Sequence, residues 1–400
     1  MRRMPVAIVG AGPAGLLLAN LLRLEGIESM VLEARTRDEI EGTVRAGVLE
    51  HNTVELLKGA GLGGRLVREG AVHHGIRLRF ERQTRRIDLS SLTGGLAITL
   101  YAQHEVIKDL AAAFTVAGGS IEFGVREVRL RDLESDTPTV RYRTAAGDEQ
   151  VISCDFVAGC DGYHGVARTS IPPGRRVEHS RAYPFAWFGI LVEAPLASDE
   201  LVYARHDRGF ALVSTRSPSL QRLYFQCDPG DSAETWSDDR IWAELHARLE
   251  SADGDGFQEG RIVQKGVVAM RSFVCETMRH GRLLLAGDAA HIVPPTGAKG
   301  LNLAVADVRL LAGALAAHYA RGSEKGLDGY ARTALARVWR CEQFSSWMTA
   351  LLHRVPGEDA FQRELQKSQL EYVMRSRAAA ASLAENYVGL PWDWDAAGRP

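Results

Sequence analysis

The chain has 400 residues, with 48 Lys and Arg against 50 Asp and Glu, for a formal net charge of −2. A hydrophobic share of 46% beside 24% charged residues is an ordinary globular mix, long enough for two to three domains at about 150 residues each. These values exclude a disordered, collagen-like or coiled-coil chain. They give no support to nucleic-acid binding, which calls for a strongly basic domain. Five cysteines, at 154, 160, 227, 275 and 341, include no C-x-x-C pair, so neither a disulfide framework nor a zinc cluster is expected. Their odd number suits reduced thiols in the cytoplasm. His73 and His74 are adjacent but have no further ligand at metal-binding spacing, so no metal is expected. Residues 5–22 are largely apolar, but Gly10, Gly12, Pro13 and Gly15 interrupt them where a signal core or membrane span runs smooth. No other segment reads as a span, and no membrane association is expected.

In chain order, 6–9 is a short apolar run ended by glycines. Residues 16–24 are apolar on nearly every side, as in a buried helix, and Ser29–Glu33 reads as a second strand. This is the β-α-β opening of a parallel sheet. Residues 46–58 read as a helix. Residues 126–133 and Thr139–Arg143 alternate as strands do, 145–148 make a turn, and 151–160 form another buried strand. Pro172, Pro173 and Gly174 then break the chain. From 185 to 227 aromatic, apolar and polar residues alternate, as in antiparallel strands. A helix near 236–250, a parallel-type strand at 282–286 and long helices at 301–319 and 327–352 follow, with weaker helical character at 358–385.

The fold class expected is α/β with mixed α+β character: a Rossmann-like domain, an inserted antiparallel β-sheet domain and a helical C-terminal part. The expected boundaries are 1–175 for the nucleotide domain, with 73–100 contributing to the substrate side, and 176–275 for the β-rich substrate domain. Residues 276–350 return to the first domain, and 351–400 make a helical interface segment.

Gly10-Ala11-Gly12-Pro13-Ala14-Gly15 is a G-x-G-x-x-G between a strand and a helix, and Glu33 follows Gly15 by 18 residues, against about 20 expected of a dinucleotide site. Gly10 makes the tight turn, Gly12 lets the backbone approach a pyrophosphate, and Gly15 gives helix–strand contact. The helix N-terminus offers free N–H groups to phosphate, and Glu33 accepts from a ribose hydroxyl. The motif leaves NAD and FAD open. A second strand ends in Gly287-Asp288, where open α/β sheets bind ligands. A Pro/Gly loop then leads into a helix, which suits a long ligand such as FAD.

Alternate residues of a strand share a face. Leu212, Ser214 and Arg216 therefore point one way. After a connection at 217–221, Arg222, Tyr224 and Gln226 also share a face. In a hairpin these strands put two guanidinium groups and two hydroxyls on one patch. That patch is either a grip for a carboxylate or the wet face of a ribbon.

The G-A-G-P-A-G start, the G-C-D-G of 159–162 and the Gly287-Asp288 pair resemble the three fingerprints of the aromatic-hydroxylating flavoprotein monooxygenases. The stretches at 45–50 (R-A-G-V-L-E), 287–303 and 385–391 are similar to the branch of that family acting on 4-hydroxybenzoate. The resemblance runs from about residue 5 to 392. It implies FAD contacts from Thr43, Val44, Arg45, Ala46, Gly47, Val48, Gln103, Asp288, Leu301 and Asn302, beside Gly10, Gly12, Gly15 and Glu33. It implies that Ser214, Thr215, Arg216 and Tyr224 hold a benzoate carboxylate, and that Tyr203 and the Pro295 carbonyl meet the ring hydroxyl. It further implies that Tyr387 bonds Tyr203, that His73 ends a proton path, and that Arg222 sets the flavin's position. NADH or NADPH is implied as reductant near Arg35, Glu39, Thr43, Arg45, His164 and Arg271. NADPH-strict members carry tyrosine and arginine where this chain has Glu39 and Thr43, so NADH is expected to serve at least as well. The activity implied is hydroxylation of 4-hydroxybenzoate to 3,4-dihydroxybenzoate with O₂, by a cytoplasmic homodimer. Two rivals are the same chemistry on 4-aminobenzoate or 3,4-dihydroxybenzoate, and an FAD oxidase or dehydrogenase without oxygen transfer.

Overall fold

The computed structural model describes residues 2–45, 47–252, 254 and 257–392. Two eight-stranded sheets carry the molecule, with a third sheet of three short strands between Val48 and Leu100. In the first sheet the order is Arg279–His280, Leu283–Leu285, Glu149–Gly159, Arg2–Val9, Ser29–Glu33 and Ser120–Phe123. Arg2–Val9 runs parallel to both of its neighbours, with Val9 level with Gly159 on one side and Leu32 on the other. A sheet covered on both faces needs apolar side chains on both, and Val6, Ala7, Ile8 and Val9 are all buried. Its covers include Pro13–Leu24 and Gly300–Arg321, which pack on each other. Gly300–Arg321 is long and apolar enough to cross a membrane by composition. Its apolar residues are spent on this sheet and on Lys325–Leu352.

The second sheet runs His291–Ile292, Arg261–Cys275, Glu178–Glu193, Leu220–Cys227, Gly209–Ser217, Val202–His206, Gly75–Phe80 and Gln83–Asp88. All its pairings are antiparallel except Val202–His206 with Gly75–Phe80, where Tyr203 is level with Leu78. Period-2 alternation decides what each face meets. Phe188, Ala211, Leu223 and Phe225 face Trp236, Ile241, Trp242 and Leu245 in and beside the helix Asp238–Arg248. Trp187, Tyr203, Leu212 and Tyr224 face the other way, toward Phe344 and Tyr387 of the C-terminal helices. Neither face of the hairpin is therefore a wet one.

The start of the segment read as a helix, 47–50, departs from that reading. Val48–Leu49 is a strand paired with Ile98–Leu100, and the helix occupies only His51–Gly59. Gly47 forces this: a Cβ there would lie 1.8 Å from the Tyr101 carbonyl oxygen, so the two chains touch backbone to backbone. The C-terminal helical stretch is broken into Ala360–Arg375 and Arg377–Val388, with Ser376 capping the second by accepting from the Ala379 N–H.

Candidate active site

A cavity of about 910 Å³ runs from Gly10 and Glu33, past Asp161 and Asp288, to Tyr203 and Arg216. At its first end Gly10 has φ +104°, and a Cβ on it would lie 2.3 Å from the Cys160 carbonyl oxygen. A Cβ on Gly15 would lie 1.9 Å from the Gly10 carbonyl oxygen, whereas Gly12 faces open space on the cavity wall. Backbone approach is thus available where the phosphates of a dinucleotide need it. The Glu33 carboxylate is buried and accepts from the Ala11 N–H at 2.7 Å and the Arg35 N–H at 2.9 Å. Each oxygen keeps a further lone pair for a ribose hydroxyl.

Asp288 stands midway. Protein surrounds it, but its carboxylate opens on the cavity, and this enclosure pushes its pKa up against the pull of His291 and Arg45. Gly300 and Leu301 bring the first turn of Gly300–Arg321 to the same wall, with N–H groups that no helical carbonyl uses. Thr43, Arg45, Val48 and Gln103 line it too. An open glycine, a ribose acceptor, a second acid and a helix N-terminus along one cavity fit FAD. Ala46 lies outside the described residues. Val44 and Gly47 do not line this cavity, and Asn302 does not reach it with its side chain. The Asn302 amide is spent on structure: its Oδ1 accepts from the Glu50 N–H and the Thr53 hydroxyl, and its Nδ2 donates to the Val48 and Ala298 carbonyls.

The other end of the cavity is an aromatic pocket. In the hairpin Leu212 is level with Tyr224 and Ser214 with Arg222, so Leu212, Ser214, Arg216 and Tyr224 share the inner face. Arg216 Nη1 donates to Ser214 Oγ at 2.7 Å and to the Thr215 carbonyl at 3.2 Å. Pro295, Leu201 and Trp187 complete the walls. Tyr203 Oη and Tyr387 Oη are 2.5 Å apart, both rings buried. Burial pushes the Tyr203 phenol up to about 12, with the bond to Tyr387 acting against it. Burial likewise raises Tyr387, helped by Tyr203.

Several residues named from sequence lie elsewhere. Thr215 points away from the pocket, its hydroxyl bonding the Ser198 carbonyl and Gln221 Oε1. Period 2 requires this of a residue between Ser214 and Arg216. The turn is also tighter than expected, only Pro218 and Ser219 separating the strands. Arg222 does not line the cavity. Its guanidinium lies 5.0 Å from the centre of the Tyr224 ring and donates to Gln264 at 3.3 Å. His73 is buried in the strand Ala71–His73 and borders a second cavity, and burial lowers its pKa. Glu39 turns back on its own helix: its Oε2 accepts from the Thr36 N–H while its N–H donates to Thr36 Oγ1, a capping box that holds the carboxyl below its usual range. Thr43 donates to the Glu39 carbonyl, Arg35 and His164 line the cavity, and Arg271 lies over the Tyr163 ring beside it.

Two supporting arrangements were not visible in the sequence. Lys299 Nζ donates to Glu50 Oε1 at 2.7 Å, to the Tyr387 carbonyl at 3.1 Å and to the Asn386 carbonyl. Arg337 binds the other oxygen of Glu50 at 2.8 Å and the Leu390 carbonyl at 3.1 Å. This buried cluster ties the Tyr387 segment to the cavity wall. On the opposite side His353 accepts from Trp187 Nε1 at 2.6 Å and donates to the Thr349 carbonyl at 2.9 Å. Burial drops its pKa to about 3, so the ring stays neutral and can accept. The Thr349 hydroxyl meets the Thr296 hydroxyl at 2.9 Å, next to Pro295. One turn of Lys325–Leu352 and its C-cap thus holds two walls of the pocket.

Comparison with known proteins agrees with this geometry. A family model described as "FAD binding domain" matches residues 3–345. The chain is 46% identical over 388 residues to the p-hydroxybenzoate hydroxylase of Acinetobacter baylyi, covering 97% of this chain and 96% of that protein. It is 25% identical over 344 residues to a 3-(3-hydroxy-phenyl)propionate/3-hydroxycinnamic acid hydroxylase of Escherichia coli O81, covering 84% of this chain and 59% of that one. The fold superposes on the p-nitrophenol 4-monooxygenase of Pseudomonas putida DLL-E4 with a TM-score of 0.81 at 22% identity, over 98% of this chain and all of the other. A family match over most of the length, a relative near half identical from end to end, and a cavity that fits FAD make the chain a member of the FAD-binding monooxygenases.

Proposed function

We propose that the chain hydroxylates 4-hydroxybenzoate beside its hydroxyl group, giving 3,4-dihydroxybenzoate, with NAD(P)H and O₂. The observation that carries this is the polarity of the aromatic pocket: Arg216, Ser214 and Tyr224 at one end, the Tyr203–Tyr387 pair at the other. A guanidinium beside two hydroxyls grips a carboxylate, and a phenol pair suits a phenol. The 46% identity to a p-hydroxybenzoate hydroxylase supports the same substrate.

Bound FAD supplies the electron transfer from NAD(P)H and delivers one oxygen atom of O₂. The residues do the rest. Arg216 anchors the carboxylate and so fixes which ring carbon faces the flavin. Tyr203 Oη accepts the substrate's phenol proton as it passes its own to Tyr387 Oη, Tyr387 releases its own proton on toward solvent, and the ring becomes electron-rich where oxygen is to be added. A Tyr203 phenol near 12 stays protonated at rest, so the pair relays a proton without storing a buried charge. Trp187, Leu201, Leu212 and Pro295 keep water out during transfer.

The same reading makes the chain a cytoplasmic homodimer that uses NADH at least as well as NADPH. All five cysteines are free and buried. Phe361, Leu365 and Tyr372 form an exposed apolar stripe on Ala360–Arg375, which a second copy would cover. The test is product analysis. One 3,4-dihydroxybenzoate per NAD(P)H oxidised is expected. Stoichiometric H₂O₂ without that product would establish the oxidase instead, and faster product formation from 4-aminobenzoate would move the substrate assignment.

A further inference from the structure

One buried carboxylate behind the wall of the long cavity holds both ends of a turn on that wall. Asp307 is 2% exposed and stands about two turns beyond Gly300, on the same side of Gly300–Arg321. Its Oδ2 accepts from the Gly287 N–H at 2.9 Å and from His291 Nε2 at 2.6 Å. These donors bracket the turn 287–291, which carries Asp288 to the cavity. Backbone bonds string the same turn between the two sheets, Ala286 donating to the Gly159 carbonyl and Cys275 to the Ala290 carbonyl. Asp307 ties it to the helix. Gly287 makes the fit close: its φ is +65°, and a Cβ there would lie 3.2 Å from the Cβ of Ala304 on that helix. The Asp288 side chain has no hydrogen bond of its own among the described residues, so its backbone decides where the carboxylate stands.

His291 is the counter-ion of Asp307. Burial opposes its charge, but Asp307, Asp288 and Glu342 outweigh burial and raise its pKa above the ordinary histidine value. A buried carboxylate is tolerated when it is paired in this way and costly when it is not.

We propose that Asp307, with His291 as its counter-ion, is a positioning residue for FAD, fixing Asp288 relative to the first turn of Gly300–Arg321. That acid and that helix N-terminus are both offered to the cofactor along the cavity wall. Groups that bind one extended ligand together have to keep their places to within about 0.5 Å. Asp307 sits on the helix and grips the turn, so it sets the distance between the two. Both donors use one oxygen, and loss of that carboxylate frees both ends of the turn at once. The proposal rests on FAD as the cofactor and is independent of the substrate.

Coupling to Asp288 separates this role from a contribution to the fold alone. Holoenzymes of the unmodified protein, Asp307→Ala, Asp307→Asn, Asp288→Ala and the double alanine variant are diluted in series, and released FAD is read by its fluorescence. Asp307→Ala is expected to raise the FAD Kd about 100-fold, at about tenfold for each hydrogen bond released. Asp307→Asn keeps an acceptor for the Gly287 N–H and is expected to recover about tenfold of that loss. In the Asp288→Ala background, Asp307→Ala is expected to add less than about threefold, because the group it positions is already gone. Where an alanine variant yields no holoenzyme, the cycle is run with asparagine at both positions, and the same non-additivity is expected. A Kd in Asp307→Ala within about threefold of the unmodified protein would overturn the proposal. So would a cost repeated in full in the Asp288 background, which would leave Asp307 a residue of the fold and not of the cofactor site.

Discussion

Tyr203 and Tyr387 share a hydrogen bond of 2.5 Å across 184 residues of chain. One sits on the strand Val202–His206 and the other on the helix Arg377–Val388, so the pair joins the β-rich part of the molecule to its last described helix. With Tyr203→Phe the first hydroxyl of the relay is gone while the ring remains. Hydroxylation is expected to slow by about 100-fold or more, with the Kd for 4-hydroxybenzoate little changed. Single-turnover measurement of 3,4-dihydroxybenzoate checks this, and unchanged coupling of NAD(P)H use to product would refute the relay.

The Glu50–Lys299–Arg337 cluster is buried, each side chain at most 7% exposed. Glu50→Gln keeps the shape and leaves two buried cations without a carboxylate. A loss of about 3–5 kcal/mol in unfolding free energy is expected. Denaturant titration reads it, and a loss under about 1 kcal/mol would show that the cations find other partners.

His353 makes stability depend on pH. Its folded value is about 3, well below an ordinary histidine at 6.5. Below pH 6.5 the unfolded chain takes up a proton that the folded ring refuses, so the contribution is complete above 6.5 and lost as pH falls toward 3. The slope reaches at most about 1.4 kcal/mol per pH unit. His353→Gln is expected to be less stable at pH 7 and to lose less stability between pH 6.5 and 4. Parallel curves for the two proteins would mean that His353 is protonated in the fold.

The reductant preference turns on Arg35. Arg37 is paired with Glu41 at 2.6 Å and Glu39 is committed to its capping box, which leaves Arg35 as the cation of the 35–41 segment that lines the cavity and can meet a 2′-phosphate. Arg35 itself leans on Glu33 at 3.6 Å. NADH is therefore expected to match or exceed NADPH in kcat/KM at saturating 4-hydroxybenzoate. An NADPH preference of tenfold, about 1.4 kcal/mol, that vanishes in Arg35→Ala would show that Arg35 serves the phosphate.

Local rules made half of this site legible. Spacing alone linked Gly15 to Glu33, and the strand period alone put Ser214, Arg216 and Tyr224 on one face. The same period set Thr215 apart from them. The helix expected over 46–58 was started too early because the composition of its first residues suits a helix, while the pairing of Val48 with Leu100 is made 52 residues away. Lys299 and Arg337 could not be assigned to Glu50, 249 and 287 residues earlier. Nor could His353 be assigned to Trp187 across 166, since nothing local distinguishes a histidine that accepts in a core from one on a surface.

The dependence of the aromatic pocket on Arg377–Val388 also sets an order of events during synthesis. Every residue lining the long cavity, from Val9 to Ala304, has left the ribosome before Tyr387 does. A nascent chain can therefore capture its cofactor before it can move a proton, and flavin chemistry on a half-built pocket would waste reductant and release H₂O₂. The Lys299 and Arg337 clamps on the carbonyls of 386–390 make closure a single late event. A protease cutting between 375 and 377 would reverse it, leaving a yellow protein that binds nucleotide and spends NAD(P)H without hydroxylating.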